Sequence, residues 1–241
     1  MKKTLYQRYC PRLDCQKIET PYFFQIGQFR DAERLVTKYH YSHRMPSNIQ
    51  VIGSMHQSGG LFGEMGPAIA ACIFSIPPTR WSCPVIELSR LVRSDVEILL
   101  TGLISRTLKE VSRSGWHLAV SFADRTQGHH GGIYQAASWN YHGQRDKTMD
   151  GLIINGEFVP GRSCNSLYGT RSPQALKEMH PQWTIEPHYD EGKHLYWKPL
   201  SQKGKYYART LLLESNPYPK TKGKEIHCPR CGTKGKGEDI K

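Results

Sequence analysis

The sequence lacks the patterns that mark several common classes of protein. No stretch of the 241 residues approaches the roughly 18 apolar residues of a membrane-spanning helix, and the longest candidate, Pro67 to Pro78, has the length of a strand. No apolar segment follows Met1-Lys2-Lys3, so we expect a cytoplasmic protein without a membrane partner. The patterns G-x-x-x-x-G-K-[ST], G-x-G-x-x-G after a strand, H-E-x-x-H and Asp/Asn-Pro-Pro-aromatic are missing. Phosphoryl transfer and adenine methylation are therefore disfavoured.

Acidic residues are scarce, which points to a polyanionic partner. The chain has 33 Lys and Arg against 21 Asp and Glu, giving a net charge of +12. Nucleic acid is the expected partner for such a charge, and a basic protein without that role is the alternative. Seven cysteines, an odd number, suit reduced cytosolic thiols better than a disulfide framework. The hydrophobic fraction of 38% is enough for a folded core.

The order of apolar patterns predicts an α/β or α+β fold with one mixed sheet and flanking helices. One helix is expected from Phe29 to Tyr39, and another from a capping box at Ser94-x-x-Glu97 to Gly115. Asn155-Gly156 after an apolar run predicts a hairpin turn. From Lys198 onward, eleven basic residues face four acidic ones, which predicts a basic tail. We therefore expect an N-terminal segment (1–19), a catalytic domain (20–200) and a tail (201–241).

The segment from Val120 to Ala136 contains the densest group of candidate catalytic side chains. A buried strand ends at an Asp, and a glycine-rich loop and a helix start follow, a place where α/β proteins often bind ligands. Asp and His are the usual acid–base groups, and Tyr can donate a proton. A turn cap, a loop and a packed ring are the structural alternative. The polar candidates are Ser121, Asp124, His129, His130 and Tyr134.

Two further segments carry candidates. Tyr39-His40-Tyr41-Ser42 ends the first predicted helix; periodicity assigns Tyr39 to the core and leaves His40 and Tyr41 for a cleft, as base, ligand or stacking platform. Arg90 lies on a predicted strand, where two-residue alternation places it on the same face as Leu88. An anionic or carbonyl partner in a cleft and a structural salt bridge are both open for Arg90.

The C-terminal tail contains half of a possible zinc site. Cys228-Pro-Arg-Cys231 has the C-x-x-C spacing of a zinc knuckle, but tetrahedral zinc requires two further ligands. Cys10 and Cys15 are the candidates to complete it, and whether they do so is open.

Several of these segments, in this order, resemble the phage Mom family of DNA adenine-modification proteins. The resemblance covers roughly residues 20–200. Its most specific part is the pair of stretches V-S-F-A-D and I-Y-Q-A. The segments are Tyr39-His-Tyr-Ser42, Leu88-Ser-Arg-Leu-Val92, Val120-Ser-Phe-Ala-Asp124, Gly128-His-His-Gly-Gly-Ile-Tyr-Gln-Ala136, Trp139, Tyr141-His-Gly143, Arg162-Ser163, Tyr168-Gly169 and Lys193-His-Leu-Tyr-Trp197.

The resemblance implies a fold similar to GCN5-related N-acetyltransferases (GNAT) and conversion of adenine in double-stranded DNA to N6-carbamoylmethyladenine. Such a phage-encoded enzyme would protect phage DNA from host restriction. Acetyl-CoA or a related acyl donor would bind at Arg90-Leu91-Val92-Arg93 and the helix that follows. The turn before that helix has no glycine and carries Asp95 and Glu97, which would repel a pyrophosphate. The oligomeric state stays open.

Roles for the candidates follow from the resemblance. Asp124 and His129 would move a proton or hold the amine, and Tyr134 would protonate a leaving group. Arg90 would hold a carbonyl or carboxylate, and Ser121 would orient these groups. The implied iron would be bound by His40 and Tyr41, and Tyr41 or Trp139 would stack on an extruded base. An acetyltransferase acting on a protein or small amine, and a non-catalytic DNA-binding protein, are the alternatives.

Overall fold

A seven-stranded mixed sheet with the order β1-β2-β3-β4-β5-β10-β6 forms the centre of the structure. The structure, a computed structural model, describes residues 22–59, 64–94, 98–219, 225–227 and 234–236. The strands are β1 (Tyr22–Ile26), β2 (Ile49–Gly59), β3 (Glu64–Ser75), β4 (Ile86–Arg93), β5 (Leu118–Asp124), β6 (Asn140–Gln144), β7 (Met149–Ile154), β8 (Glu157–Pro160), β9 (Ile185–Tyr189), β10 (Lys193–Pro199), β11 (Glu225–His227) and β12 (Lys234–Lys236). The helices are α1 (Phe29–Tyr39), α2 (Leu100–Arg113), α3 (Gly132–Ala136), α4 (Gly161–Tyr168), α5 (Pro173–Met179) and α6 (Gln202–Thr210).

Helices cover both faces of this sheet, which confirms the expected fold class. Leu35 and Val36 of α1 pack on one face, against a cluster that includes Ile73 of β3. Leu103 and Ile104 of α2 pack on the other face. The helix α6 lies on the α1 side, because its Ala208 packs with Leu118 and Val120, which face away from the α2 cluster that contains Ala119 and Ala123. Within the described residues, no helix is both long and apolar enough to cross a membrane.

A second, three-stranded sheet with the order β8-β7-β9 is inserted between β6 and β10. Its turn confirms the predicted hairpin: Asn155 and Gly156 have φ angles of 52° and 87°, as a two-residue turn between antiparallel strands requires. The helices α4 and α5 cover this sheet through Cys164 and Leu176.

The predicted capping box at Ser94 is wrong. The helix α2 begins at Leu100, and its N-cap residue, Leu99, makes no side-chain capping hydrogen bond. The backbone N–H of Ser94 donates instead to the carbonyl of Ile69 at 2.8 Å, so the chain continues the β-ladder at the position where the capping pattern predicts a helix start. Residues 95–97 lie outside the described residues.

The chain after residue 200 continues to pack on the sheet. Tyr207, Leu211 and Leu213 contact the cluster around α6. The backbone N–H of Asn216 then donates to Tyr141 of β6 at 2.7 Å. The packed domain therefore extends past the predicted start of the tail at 201, to the contact of Tyr218 with the Trp139 carbonyl. The predicted N-terminal segment, 1–19, lies outside the described residues.

Candidate functional site

A cleft opens where the parallel strands β4 and β5 separate. The two strands pair only at Ile86 with Ala119 and Glu87 with Val120 along their described lengths. Beyond these pairs, Ser121 Oγ donates a hydrogen bond of 2.8 Å to the Leu88 carbonyl across the opening. The carboxyl ends of both strands thus face one space, which is where α/β sheets usually place their ligands.

A β-bulge in β4 determines which way Arg90 points. Ile73 pairs with Arg90, but the next residue of β3, Phe74, pairs with Leu88, so Ser89 is an extra residue. The predicted shared face of Leu88 and Arg90 is therefore wrong, because a bulge interrupts the two-residue alternation. Leu88 packs on the α2 side, whereas the Arg90 guanidinium reaches the α1 side.

The Arg90 side chain holds the segment that follows α1. Its Nε donates to the Arg44 carbonyl at 3.0 Å, and its NH1 donates to the Ser89 carbonyl at 2.7 Å. The segment it fixes, 40–44, carries His40 and Tyr41. Two carbonyl oxygens therefore accept hydrogen bonds from the Arg90 guanidinium, which gives Arg90 the function of positioning this segment in addition to any ligand contact.

His40 and Tyr41 lie together at the cleft, as the sequence predicts. Their rings stack with centroids 4.4 Å apart, and Tyr41 meets His129 edge-on at 5.8 Å. Burial and the Arg90 charge lower the pKa of His40 to about 4, so this imidazole is neutral at pH 7. Its Nδ1 accepts the Ser42 backbone N–H at 3.1 Å, which leaves the proton on Nε2. Burial, followed by the charge of Asp124, raises the pKa of Tyr41, although 48% of this residue remains exposed.

Ser121 and Tyr134 form a buried proton chain. The Leu88 carbonyl can only accept, so the Ser121 hydroxyl uses its one proton there. The Tyr134 hydroxyl, 2.8 Å from Ser121 Oγ, must therefore donate to it. Burial raises the pKa of Tyr134, which keeps this phenol protonated. Ser121 is fully buried, and its hydroxyl fixes the position of the Tyr134 hydroxyl.

The loop after β5 places Asp124 and His129 at the cleft mouth. Asp124 accepts the Thr126 N–H at 3.0 Å, and its own carbonyl accepts the His129 N–H at 3.0 Å. The loop ends at Gly131, whose φ is +81° and where a Cβ would lie 2.2 Å from the Tyr196 ring. The Tyr196 hydroxyl donates to the His130 carbonyl at 2.7 Å, which fixes the loop to β10. His130 therefore contributes a backbone contact to this arrangement.

Trp139 is not available as the stacking platform that the sequence suggested. It is fully buried in the core beside Tyr134, with ring centroids 5.5 Å apart. A base extruded from DNA cannot reach its face. Tyr41 is the exposed ring at the cleft.

Sequence reasoning missed Glu87 and Tyr196. Burial is the main cause of the raised pKa values of Tyr41 and Tyr134, and the negative charge of Glu87 adds a smaller contribution to both. Glu87 is the last residue of β4 that pairs with β5, a position beside the opening between the strands. Strand pairing cannot be read from a single sequence, so this position could not be predicted. The role of Tyr196 depends on a loop 66 residues earlier in the chain.

The start of α2 is the feature that could hold the phosphates of an acyl donor. The first N–H groups of this 14-residue helix have no side-chain cap, and the space around Gly102 is open. These described residues fit a pyrophosphate, whereas Asp95 and Glu97 in the undescribed turn add opposing charge. Of the predicted donor-binding residues, Leu91 and Val92 pack into the two cores and Arg93 is exposed.

The predicted metal sites gain no support. Among the described residues, no three His, Cys, Asp or Glu side chains are grouped so as to hold a metal ion. His40 and Tyr41 are adjacent, and burial raises the pKa of the Tyr41 phenol in the metal-free protein. Cys228 and Cys231, with Cys10 and Cys15, lie outside the described residues, so zinc binding stays a prediction.

Comparisons with solved structures find acetyltransferases at low similarity. One is a GNAT family N-acetyltransferase (YhbS) from Escherichia coli in complex with CoA, with 11% identity and a TM-score of 0.36 over 52% of this chain and 72% of that chain. Another is an N-acetyltransferase from Staphylococcus aureus, with 11% identity and a TM-score of 0.41 over 76% of this chain and 100% of that chain. Similarity at this level says nothing about substrate or cofactor.

Comparison with sequence families gives a clear result. No curated protein sequence matches the chain. The Mom protein family matches residues 22–220, a range that contains the seven-stranded and three-stranded sheets and every candidate residue of the cleft. The chain therefore belongs to the Mom protein family, and DNA modification by a transferase is the activity class that this membership supports.

Proposed function

We propose that the protein modifies the N6 amine of adenine in double-stranded DNA to N6-carbamoylmethyladenine and thereby protects phage DNA from host restriction. The observation that carries this proposal is the grouping of His40, Tyr41, Asp124 and His129 at the opening between β4 and β5. Double-stranded DNA is the proposed partner, and the cytoplasm of a phage-infected bacterium is the proposed location.

The exposed ring of Tyr41 suits a base that has left the duplex. The adenine amine is paired inside duplex DNA, so an enzyme that modifies it must extrude the base. Aromatic side chains stabilise extruded bases by stacking, at about 1–3 kcal/mol per base. Tyr41 is 48% exposed and stacks on His40 from one side, which leaves ring surface for a base.

The protonation states assign roles to the cleft residues. The amine must lose a proton when its new N–C bond forms, and we assign the Asp124 carboxylate at the end of β5 to accept it and His129 to hold the base. Tyr134 keeps its proton, and to supply it to a leaving group its hydroxyl would turn away from Ser121 Oγ. Neutral His40 can accept or donate a hydrogen bond without adding charge. Arg90 fixes the His40–Tyr41 segment through the Arg44 carbonyl, and we assign its guanidinium to hold the substrate's carbonyl or carboxylate.

An acyl donor with a pyrophosphate would bind through the first N–H groups of α2, beside Gly102. When bound, it would supply an acyl group; acyl transfer alone would give an N6 amide, so the carbamoylmethyl group, which joins N6 to a CH2 carbon, would require a donor activated at that carbon. Asp95 and Glu97 should weaken this binding, so we expect Asp95→Asn/Glu97→Gln to bind CoA more tightly than the natural chain, as measured by calorimetry.

Mass spectrometry of nucleosides tests the proposal. DNA from cells that express the protein should contain an adenosine heavier by one carbamoylmethyl group. Asp124→Asn should remove this product without unfolding the protein, because Asp124 lies at the end of β5 and caps only the Thr126 N–H. Unmodified DNA together with acetylated protein would favour an acetyltransferase of protein substrates. Salt-sensitive DNA binding without any product would leave a non-catalytic DNA-binding protein.

A further inference from the structure

A pocket of about 480 Å³ lies away from the catalytic cleft, on the α1 and α6 side of the sheet. The loop between β3 and β4 contributes Arg80 and Trp81, and the end of β6 contributes His142 and Arg145. Leu195 and Leu211 add apolar surface. None of the side chains proposed for catalysis lines it. We call it the Arg80–Arg145 pocket.

The rim of this pocket is cationic and its donors are available. Within the described chain, the guanidinium groups of Arg80 and Arg145 form no ion pair and no side-chain hydrogen bond. One acidic residue, Asp146, also lines the pocket. His142 Nδ1 accepts the Glu214 N–H at 3.0 Å, so the neutral ring carries its proton on Nε2 and can donate there. These donors suit an anionic oxygen ligand.

The β6 wall of the pocket lies at the same end of the sheet as the cleft. Asp124 pairs with Lys193 of β10, and Gln144, on the pocket wall, pairs with the adjacent His194. Gln144 is thus two strands from Asp124, about 10 Å at about 4.8 Å per strand. One DNA strand carries a phosphate every 3.4 Å or so along the helix axis, so this distance corresponds to about three nucleotides.

We propose that the Arg80–Arg145 pocket binds backbone phosphates of the DNA, about three nucleotides from the base that enters the cleft. This inference rests on the proposed function, because it requires DNA as the substrate. Arg80 and Arg145 bind phosphate oxygens through their planar guanidinium groups, and His142 donates from Nε2. The site positions the duplex without reading its sequence.

The test is DNA affinity measured against salt concentration by fluorescence anisotropy, with the full chain and a labelled duplex. Each lost phosphate contact should reduce the slope of log K against log salt by about 0.9, so Arg80→Ala/Arg145→Ala should reduce it by about 1.8. Arg80→Lys/Arg145→Lys keeps both charges and should retain the slope.

Lys109→Ala/Arg113→Ala is the charge-matched control. The end of α2 that carries these residues leads directly into the start of β5, at the opposite end of the sheet from Asp124. This variant should keep the natural slope. An unchanged slope in the Arg80–Arg145 alanine variant, or an equal loss in the control, would overturn the proposal.

Free deoxyadenosine monophosphate distinguishes a DNA strand from a soluble nucleotide. If calorimetry detects binding of this nucleotide that the double alanine variant abolishes, while the duplex slope stays unchanged, the pocket is a mononucleotide site and the proposal is wrong. None of these titrations requires turnover. If no modified nucleoside is found but the salt slope still depends on Arg80 and Arg145, the proposed function is refuted whereas the proposed phosphate site is supported.

Discussion

Because the Tyr134 hydroxyl donates its proton to Ser121, replacing Ser121 and replacing Tyr134 should destabilise the protein to different extents. Ser121→Ala removes the acceptor of the Tyr134 hydroxyl and the donor to the Leu88 carbonyl, so two buried groups lose their partners. Each such group costs about 1–3 kcal/mol, which predicts a loss of about 2–6 kcal/mol in the free energy of unfolding. Tyr134→Phe leaves the Ser121–Leu88 bond intact and should cost only the net value of one hydrogen bond, about 0.5–1.5 kcal/mol.

Urea unfolding at pH 7, followed by tryptophan fluorescence, measures this difference. At a slope of about 2 kcal/mol per M, a gap of 2 kcal/mol separates the two midpoints by about 1 M. The double variant Ser121→Ala/Tyr134→Phe is the internal control, because it no longer contains an unpaired phenol and should be more stable than Ser121→Ala alone. A Tyr134→Phe protein that is as unstable as Ser121→Ala would refute the assigned proton direction.

Activity should rank the same two variants in the opposite order. Tyr134→Phe lacks the proton that the proposed reaction requires, so its yield of modified adenosine should fall by about 10²-fold or more. Ser121→Ala keeps the phenol, although less well oriented, and should retain measurable product. Equal yields would remove Tyr134 from the reaction.

Three further predictions concern the loop, the histidine and the tail. Gly131→Ala should lower the melting temperature more than Gly128→Ala, because both have positive φ but only Gly131 would also place its Cβ against the Tyr196 ring; equal losses would contradict the role of this contact. The pKa of His40 is about 4 in the folded protein and 6.5 without burial, so the unfolded chain binds more protons between these values and stability should fall as the pH decreases from 6.5 to 4. His40→Gln should show a smaller fall in urea midpoint over that range, and an identical fall would exclude His40 as a cause. Truncation after Pro219 removes seven basic and three acidic residues and should flatten the salt dependence of DNA binding without changing the modified nucleoside; an unchanged slope would show that the tail is not a DNA anchor.

The sequence predicted elements whose signals are local. The helix from Phe29 to Tyr39 and the Asn155-Gly156 hairpin follow from periodicity and turn chemistry alone, and both are present. The helices α4, α5 and α6 were not predicted, because they are short and bury only a few residues each. Their stability comes from the sheets that they cover, which a linear pattern does not show.

The candidate site was predicted as a set of residues but not as a geometry. His40, Tyr41 and His129 meet as expected because the family segments already grouped them. The orientation of Arg90 could not be inferred, since a bulge depends on how two strands pair. The Arg80–Arg145 pocket was missed because its walls come from four separate segments of the chain, none with a motif of its own.

The bulge in β4 also implies that this strand tolerates changes of identity better than changes of length. Replacing Ser89 leaves the extra residue in place and keeps Arg90 and Val92 on the α1 side. Deleting it would move each following residue of the strand to the opposite face of the sheet. Arg90 would then point toward the apolar core under α2, and the His40–Tyr41 segment would lose its hydrogen bond at the Arg44 carbonyl. We therefore expect homologues to vary in the residue that occupies this position while preserving the number of residues between Leu88 and Arg90.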